Sequence, residues 1–384
     1  MPPQQNCQPR EATSGSPSSS TPGPTRATRL SLCLIARDEA RHLERCLRSV
    51  QGVVDEIVVI DTGSTDATPA IAAAHGAHVS TFAWCDDFAA ARNASIERAT
   101  GDWILVLDAD EELLTPPDEA RAALLELARG TTAGRVAIES VGPDGAEGVV
   151  QITRFFPRLD TVRYDGRVHE QLADDGLPLV TQALPLRVGH VGYSADSMQD
   201  RHKLARNIGL LELALRDAPD DGYLWYQLGR TRALASDLTC ALSDFQRALN
   251  LCPDEAPWGP CLVEAAGYAL RGAGHSEQAL ALVEALASTS PERPDTLFLA
   301  ALCAADMGRF EQAEAGYRRC LELGPAPPGP VDCSPGAGSW APAHNLAVLC
   351  ELLGRVDEAR GWYARALELR PAHGPSREGL ERVA

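Results

Sequence analysis

Short apolar segments followed by acidic residues alternate with helical segments between residues 30 and 112. LSLCLIA, EIVVI and WILVL predict buried strands, HVSTFAW predicts another strand, and EARHLERCLRSV, ATPAIAAAHG and FAAARNASIERATG have helical spacing. A terminal glycine is expected to close the second and third of these helices. Strands that alternate with helices of about ten residues predict a parallel sheet with helices on both faces.

The predicted strands end in Asp38 and Glu39, in Asp61, and in Asp108 and Asp110. Ligands of open α/β sheets bind beyond the carboxyl ends of the strands. No G-x-G-x-x-G follows the first strand and no G-x-x-x-x-G-K-[ST] occurs, so bound phosphates need another source of positive charge. Asp108 and Asp110 indicate a divalent cation, Mg²⁺ or Mn²⁺, which carboxylates share with substrate phosphates. Helix capping is the competing explanation for the acidic and hydroxyl residues near Asp61.

Five stretches of the first half resemble the family 2 glycosyltransferases, GT-A-fold enzymes that use sugar nucleotides. In chain order they are CLIARDEARHLERCLRSV, DEIVVIDTGSTDAT, FAAARNASIERATGDWILVLDADEEL, YDGRVHEQL and GHVGY. GRVHE and the helical tail are similar to lipopolysaccharide-core glucosyltransferases and to the transferases that glycosylate peptide bacteriocins on cysteine. The first strand of the family usually ends in Lys-Asn-Glu, whereas this chain has Arg37-Asp38-Glu39, which adds a negative charge near the nucleotide.

The resemblance implies an inverting transfer from a UDP-sugar and assigns roles to matching residues. Asp61 accepts a hydrogen bond from the uracil ring, and Arg92 contacts the uracil or the diphosphate. Asp108 faces the ribose and the metal shell, and Asp110 is the principal metal ligand. His190 approaches the metal or the diphosphate. The alternative for Arg92 is a surface arginine of an amphipathic helix, and the alternative for His190 is a histidine with a structural role. Glu39 is assigned to the residues that contact the nucleotide.

An inverting displacement needs one base to deprotonate the acceptor hydroxyl or thiol, and forms no covalent intermediate. Glu170 in RVHEQL is the candidate for that base, and Asp165 and His169 are the alternatives. A solvated Glu170 that pairs with Arg167 or Arg163 is the structural alternative.

Trp84, Asp86 and Asp87 in WCDDF are interpreted as the acceptor or sugar edge of the site. A purely structural role for Trp84, in packing against neighbouring side chains, is an equally weighted alternative.

From residue 196 the chain becomes an Ala- and Leu-rich helical array that matches the tetratricopeptide template. A helix over 198–217 is expected to cap or join the array, and PAPPGPVDCSPGAGS is a loop inserted between repeats. Stacked repeats form a concave surface that binds other chains, so the array predicts acceptor or partner binding, with self-association as a homo-oligomer or simple stabilisation as alternatives. The matching positions are Trp225, Leu228, Gly229, Ala241, Phe245, Ala248, Pro253, Gly267, Ala279, Pro291, Gly308, Ala313, Tyr317, Pro325, Leu346, Gly354, Ala359, Tyr363, Ala366 and Pro371.

The composition excludes several classes of protein. The formal net charge of the 384 residues is −18, so no overall basic field attracts nucleic acid. The 11 cysteines include no CxxC pair, which favours reduced thiols in a cytoplasmic protein. The Pro-, Ser- and Thr-rich residues 1–28 predict a disordered tail rather than a signal peptide, and no apolar run of about 18 residues predicts a transmembrane segment.

The motifs and the resemblance together predict an α/β GT-A domain over residues 29–195 and an all-α tetratricopeptide-repeat solenoid over 196–384. The predicted function is that of a metal-dependent inverting hexosyltransferase, which moves a sugar from a nucleotide-diphosphate donor to a saccharide, peptide or protein acceptor. The alternative is a non-catalytic tetratricopeptide scaffold that carries a relic glycosyltransferase domain.

Overall fold

In the computed structural model strands and helices alternate from Leu30 to Val106, mostly strands follow up to His190, and helices follow from Ser197. The structure describes residues 27–141, 147–190, 197–289, 292–326 and 336–384, so most of the predicted tail, Pro291 and the predicted domain boundary at 195/196 lie outside it. An α/β region followed by an all-α repeat region is confirmed. The strands are β1 (Leu30–Ala36), β2 (Glu56–Asp61), β3 (His78–Thr81), β4 (Trp103–Val106), β5 (Glu111–Leu113), β6 (Ala133–Val141), β7 (Glu147–Pro157), β8 (Val162–Asp165), β9 (Gln171–Asp174), β10 (Leu177–Pro178) and β11 (Thr181–His190).

Four helices lie among the strands of the described chain, and the later helices pack in consecutive pairs. Within the pairs, α6 packs on α7, α8 on α9, α10 on α11 and α12 on α13. The helices are α1 (Leu43–Ser49), α2 (Thr68–Ala74), α3 (Phe88–Arg98), α4 (Pro117–Leu127), α5 (Ser197–Asp217), α6 (Gly222–Leu234), α7 (Leu238–Leu251), α8 (Gly259–Gly272), α9 (Ser276–Thr289), α10 (Pro294–Asp306), α11 (Phe310–Leu323), α12 (Trp340–Leu352), α13 (Val356–Leu369) and α14 (Gly374–Arg382).

The main sheet of the described residues has the strand order β3-β2-β1-β4-β7-β6-β11-β5. β3, β2, β1 and β4 are parallel neighbours, as predicted. Beyond β4, outside the strands for which a parallel sheet was predicted, the sheet is mixed, because β7 runs antiparallel to both β4 and β6, and β5 runs antiparallel to β11. The mixed half arises because β7 follows β6 along the chain and pairs back onto it.

β1 is apolar without alternation because both of its faces are buried. Leu32 and Leu34 pack with Leu43 of α1 in the core on one face of the sheet. Cys33 packs with Ile96 of α3 in the core on the other face. The two layers of helices therefore hold β1 and its neighbours in a fixed register.

The parallel direction of β1, β2, β4 and β11 brings their carboxyl ends to one edge of the sheet. Asp61 is the last residue of β2, and His190 is the last residue of β11. Asp108 and Asp110 follow β4. Strand direction alone thus gathers these side chains, which lie far apart in the sequence.

The two glycines predicted to close helices have different roles. Gly76 follows α2 with φ +77°, a left-handed conformation that glycine adopts without strain. α3 ends at Arg98, and its C-cap residue Ala99 is extended, so Gly101 does not cap it. A Cβ atom on Gly101 would come within 2.4 Å of Ser31 Oγ, so glycine is required there for close packing against β1.

The template residues of the repeats form the helix–helix contacts. Ala241, Phe245 and Ala248 of α7 are buried in one core cluster. A Cβ atom on Gly229 of α6 would lie 2.7 Å from the Phe245 ring, so the glycine permits the close approach of the two helices. Gly308 and Gly354 belong instead to the turns within later helix pairs.

The turns within the four helix pairs all contain one residue with positive φ. Gly274, Gly308 and Gly354 have φ of +85°, +70° and +72°. The corresponding residue between α6 and α7 is Ser236, with φ +65°. A side chain makes this conformation costly, because Cβ crowds the following carbonyl oxygen.

The Ser236→Gly variant is therefore expected to gain about 0.5–1 kcal/mol in the free energy of unfolding. Relief of left-handed strain contributes about 1–2 kcal/mol, and the greater chain entropy of unfolded glycine offsets about 0.5–1 kcal/mol of it. Urea denaturation measures the gain, with Ser236→Ala as the control that retains a Cβ atom. Equal stability of the two variants would contradict strain at this turn.

α5 covers apolar surface of the α/β region, as expected for a helix that joins the array. Leu211 and Leu215 of α5 pack with Val168, against which Trp84 and Phe88 also lie. The α/β region and the first repeat helices thus share a hydrophobic cluster. In the described part of the chain, no helix combines the length and the apolar character needed to span a bilayer.

Candidate active site

Asp108 lies at the centre of an ion-pair network at the end of β4. Its Oδ1 accepts a hydrogen bond from Arg92 Nη2 at 2.8 Å, and its Oδ2 accepts one from Arg154 Nη2 at 2.8 Å. Burial alone would raise the pKa of Asp108, but Arg154 and Arg92 hold it well below its usual range. Both oxygens of this carboxylate are therefore oriented by guanidinium groups.

Arg154 on β7 and Glu111 on β5 are network members that the sequence analysis missed. Arg154 Nη2 also donates to Glu111 Oε1 at 2.7 Å, and Glu111 Oε2 accepts from the backbone N–H of Asp108 at 2.8 Å. The side chains of Arg154 and Glu111 are only 8% and 3% exposed. The available signal was a lone arginine in the stretch VVQITRFF, because a charge in a buried strand requires a partner.

Glu170 belongs to the same network through Arg92. Arg92 Nε donates to Glu170 Oε1, and each side chain is 12% exposed. The sequence offered as an alternative a solvated Glu170 that pairs with Arg167 or Arg163. The structure does not show these pairs. Arg167 pairs with Asp217 at 3.1 Å, and Arg163 donates to backbone carbonyl oxygens.

Arg92 of α3 is largely shielded from solvent, with its side chain 12% exposed, and is not a surface arginine. The adjacent Asn93 fixes α3 to β8, because its Nδ2 donates to the Tyr164 carbonyl at 2.8 Å and its Oδ1 accepts from the Tyr164 N–H at 2.9 Å. The Arg92 guanidinium lies 5.6 Å from the centre of the Tyr164 ring. Burial alone would lower the pKa of Arg92, but Asp108 and Glu170 hold it well above its usual range.

The two alternatives for the base occupy different surroundings. His169 has φ +53°, and burial followed by the nearby Arg230 lowers the pKa of His169. Its Nε2 atom is buried and has no hydrogen-bond partner among the described residues. Asp165 is exposed at the end of β8, where its Oδ1 accepts from the N–H of Gly166 at 2.9 Å. Of the three candidates, Glu170 has a direct contact with the network.

Asp61 stabilises the turn that follows β2. Its Oδ2 accepts from the N–H of Gly63 at 3.2 Å, and both of its carboxylate oxygens lie 3.2 Å from the Ser64 nitrogen. The side-chain contact at the start of α2 belongs instead to Asp66, whose Oδ1 accepts from the N–H of Thr68 at 2.9 Å, while the N-cap residue Ala67 has no capping side chain. Asp61 is 4% exposed, so it lies at the strand end without extending into solvent.

The segment 37–39 is linked to the same turn. Asp38 has φ +55°, its Oδ1 accepts from the N–H of Thr65 at 2.6 Å, and its N–H donates to Ser64 Oγ at 2.9 Å. Asn and Asp tolerate this left-handed conformation better than other side chains do. Asp38 therefore suits a position where the resembling family usually has asparagine. The Glu39 N–H donates to Thr68 Oγ1 at 2.7 Å.

Asp110 and His190 form a second pair at this edge. His190 Nε2 lies 3.2 Å from Asp110 Oδ2, with the side chains 28% and 17% exposed. Burial and then the Asp110 carboxylate raise the pKa of Glu39 to about 7, so negative charge is crowded here. Within the described ranges, no group of three His, Cys, Asp or Glu side chains converges on a common metal position. A carboxylate and an imidazole are ligand types that a divalent cation accepts, and Mg²⁺ usually completes its shell with phosphate and water oxygens.

The residues of WCDDF make structural contacts. Trp84 Nε1 donates to Asp86 Oδ1 at 2.8 Å, and the Trp84 ring meets Phe88 edge to face with centroids 4.9 Å apart. Asp87 caps α3 by accepting from the N–H of Ala90 at 2.8 Å. These contacts support packing for Trp84 and capping for Asp87.

Comparison with known families matches both halves of the chain. Residues 31–146 match the family described as glycosyl transferase family 2. Residues 294–327 and 343–374 match tetratricopeptide repeats. Among solved structures, a thermophilic tetratricopeptide-repeat protein of Thermus thermophilus is 25% identical, with a TM-score of 0.37 over 48% of this chain and 93% of that protein.

Similar curated proteins include repeat proteins and glycosyltransferases. A TPR repeat-containing protein of Synechococcus elongatus is 40% identical over 229 residues, which are 55% of this chain and 54% of that protein. The SPβ prophage-derived glycosyltransferase SunS of Bacillus subtilis is 28% identical over 222 residues, 56% of this chain and 52% of SunS. An uncharacterized glycosyltransferase of Rickettsia felis is 39% identical over 85 residues, 22% of this chain and 30% of that protein. The chain thus spans about half the length of the first two relatives.

Proposed function

Because the chain combines a glycosyl transferase family 2 domain with tetratricopeptide repeats, we propose that it is a metal-dependent inverting hexosyltransferase. Its donor is a nucleotide-diphosphate sugar, a UDP-sugar, and its acceptor is a saccharide, a peptide or a protein. The observation that carries the proposal is the convergence of Asp61, Asp110, His190 and the Asp108 network at one edge of the sheet.

In this proposal the donor lies along that edge. Asp61 accepts the N–H of the uracil imide, and Asp108 faces the ribose. Asp110 and His190 hold Mg²⁺ or Mn²⁺ beside the diphosphate, with Glu39 among the nucleotide contacts. When bound, the cation stabilises the negative charge that develops on the leaving diphosphate.

Glu170 acts as the base for the acceptor. An acceptor oxygen or sulfur forms a bond to the anomeric carbon as the bond from that carbon to the diphosphate oxygen breaks. The electron pair of the broken bond leaves with UDP, and the acceptor proton passes to the Glu170 carboxylate. Arg92 orients Glu170 for this transfer through its Nε–H.

Nucleotide binding tests the proposal against a non-catalytic scaffold. We expect UDP with Mn²⁺ to raise the thermal midpoint of the full-length protein, because a ligand that binds the folded state stabilises it. EDTA should abolish the shift, and ADP serves as the control nucleotide. Screening UDP-sugars for slow hydrolysis then identifies the donor. Absence of both a UDP-dependent shift and hydrolysis would favour the scaffold.

The Asp61→Ala variant is expected to bind UDP more weakly by about 1.5–3 kcal/mol, the range for a hydrogen bond to a charged group. Isothermal titration calorimetry measures the loss. Asp61→Asn is the matched control, because it keeps the shape and one acceptor oxygen but removes the charge, so it is expected to lose less UDP affinity than Asp61→Ala. Equal UDP affinity of Asp61→Ala and the parent would leave Asp61 with only its role in the turn.

A further inference from the structure

The chain uses lysine at a single position. Of its 35 basic residues, 34 are arginine and one, Lys203 of α5, is lysine. Arginine is therefore the ordinary surface cation of this protein, and it can pair with a carboxylate one turn away, as Arg48 does with Glu44. Lys203 is exposed and forms no ion pair with any described residue. A compact ammonium at this one position indicates a requirement that a planar guanidinium does not meet.

One face of α5 packs on the α/β region. Leu210 of α5 is buried in a hydrophobic cluster against which Phe88 of α3 packs. One turn earlier in α5, the Arg206 guanidinium lies 5.2 Å from the centre of the Phe88 ring. Positions 203, 206 and 210 have the i, i+3, i+7 spacing that places side chains on one face of a helix. Lys203 therefore extends from this same face, about 10 Å before Leu210 along the helix axis.

Electrostatic interactions place the Lys203 ammonium at the carboxyl edge of the sheet. Burial and then the Asp110 carboxylate raise the pKa of Glu39, and Lys203 opposes this increase. Burial alone would raise the pKa of Asp110, but His190 and, with a smaller effect, Lys203 lower it. Glu39 follows β1 and Asp110 follows β4, so a single ammonium acts on the ends of two neighbouring strands.

Arg206 lies near another guanidinium. Partial burial and then Arg37, which follows β1, lower the pKa of Arg206. The described partners of Arg206 are neutral, namely the Phe88 ring and Asn207 Oδ1, to which Nε and Nη2 donate at 3.3 and 3.2 Å. Arg37 is exposed and forms no ion pair with the described residues. Two like charges repel each other, and an anion bound beside them relieves that repulsion.

We propose that Lys203 and Arg206 bind the diphosphate of the nucleotide-sugar donor. The sequence has no glycine-rich phosphate loop, so the phosphate oxygens need another source of positive charge. A lysine binds phosphate as a point charge, and an arginine can donate to two phosphate oxygens at once. The inference rests on the proposed function and specifies how its donor is held. Donor binding then involves α5, the helix that leads into the repeats.

Isothermal titration calorimetry of the full-length protein with Mg²⁺ tests the inference. The probes are UDP and inorganic pyrophosphate, and uridine is the control without phosphate. Lys203→Gln and Arg206→Gln should each weaken binding of UDP and of pyrophosphate by about fivefold or more, because each removes a charged donor. Uridine affinity should change by about twofold at most, since uridine has no group for these donors. Lys203→Arg keeps the charge, so it should retain more UDP affinity than Lys203→Gln.

The single lysine also permits a direct measurement. Reductive methylation with ¹³C-formaldehyde labels Lys203 and the N-terminal amino group and preserves the positive charge of both. UDP and pyrophosphate should each shift the Lys203 resonance, which is identified by its absence in Lys203→Gln. The resonance of the N-terminal amino group should stay unchanged.

Arg216→Gln is the matched control, because Arg216 is exposed in the last turn of the same helix, about 20 Å from Lys203 along its axis. It should leave the affinities for UDP and pyrophosphate unchanged. The thermal midpoint without ligand should also hardly change in any variant, because the replaced side chains are exposed.

Unchanged UDP affinity in Lys203→Gln and Arg206→Gln, or an equal loss of uridine affinity, would overturn the inference. Unchanged UDP affinity together with an altered Mg²⁺ requirement would also overturn it, because Lys203 would then only balance the charge of Glu39 and Asp110. If the parent fails to bind UDP while pyrophosphate still shifts the Lys203 resonance, the proposed function fails and the phosphate site remains. Failure of both ligands to bind the parent would reject both.

Discussion

Replacement of Arg154 by methionine is expected to reduce the free energy of unfolding by about 3–5 kcal/mol, the cost of leaving a buried charge without its partner. Arg154 Nη2 holds Asp108 Oδ2 at 2.8 Å and Glu111 Oε1 at 2.7 Å. Burial already raises the pKa of Glu111, so this carboxylate depends on the guanidinium to remain charged. UDP binding should also weaken, because Asp108 loses one of the two groups that orient it.

The double variant Arg154→Met/Glu111→Gln separates charge from packing. A glutamine at position 111 still accepts from the Asp108 N–H but is neutral, so most of the lost stability should return. UDP affinity should remain low, because Asp108 is still held by Arg92 alone. Chemical denaturation measures the stability, and hydrogen exchange should show lost protection in β4 and β7 but not in α10 and α11.

A loss below about 1 kcal/mol in Arg154→Met, the range of an exposed ion pair, would contradict a structural role for the network. Arg154→Lys is the informative conservative change. A lysine keeps the charge but presents a point charge instead of a planar donor set, so it is expected to recover only part of the stability and UDP affinity.

The acidic residues at the carboxyl ends of the parallel strands were predictable because their positions follow from the local sequence pattern. Asp61, Asp108 and Asp110 each follow an apolar segment, and parallel strands bring the ends of such segments together without any knowledge of side-chain contacts. Arg154 could not be placed in the same way. It lies in β7, which enters the sheet antiparallel to β4, and sequence periodicity does not determine which strand pairs with which or in what register.

Glu170 illustrates a second limit. The sequence offered Arg163 and Arg167 as partners because they are close along the chain. The structure pairs Glu170 with Arg92, which is separated from it by 78 positions, because Asn93 docks α3 onto β8. Long-range ion pairs depend on how helices pack on the sheet, and this packing is not encoded in any local motif.

In the repeats the sequence template predicts which residues are glycine, but it does not predict the role of each glycine. The template found Gly229, which permits close packing of α6 on α7, and also Gly308, which lies in a turn with φ +70°. Glycine satisfies both requirements, close approach and positive φ, so the residue type alone does not distinguish them. Ser236 occupies such a turn position without being glycine, and only the backbone conformation reveals it.

Replacement of Asp110 by alanine is expected to reduce transfer at least about 10³-fold, which corresponds to roughly 4 kcal/mol of lost transition-state stabilisation. In the proposed site Asp110 supplies the principal carboxylate ligand of the cation. Its side chain is 17% exposed beside His190, outside the core clusters, so the thermal midpoint without ligand should hardly change. Donor hydrolysis and UDP titration, each across a range of Mn²⁺ concentrations, measure the effect.

Asp102→Ala is the matched control, because Asp102 lies at the opposite end of β4, where its Oδ2 accepts from the N–H of Arg29 at 2.8 Å. Asp110→Asn keeps the shape but removes the charge, so it is expected to retain more activity than alanine only when Mn²⁺ is in excess. Turnover of Asp110→Ala equal to the parent in excess Mn²⁺ would reject the metal assignment. A similar loss in Asp102→Ala would attribute the effect to the strand itself. Lost turnover with unchanged folding stability distinguishes Asp110, a ligand of the cation, from the buried Arg154, whose replacement is expected to reduce both UDP affinity and stability.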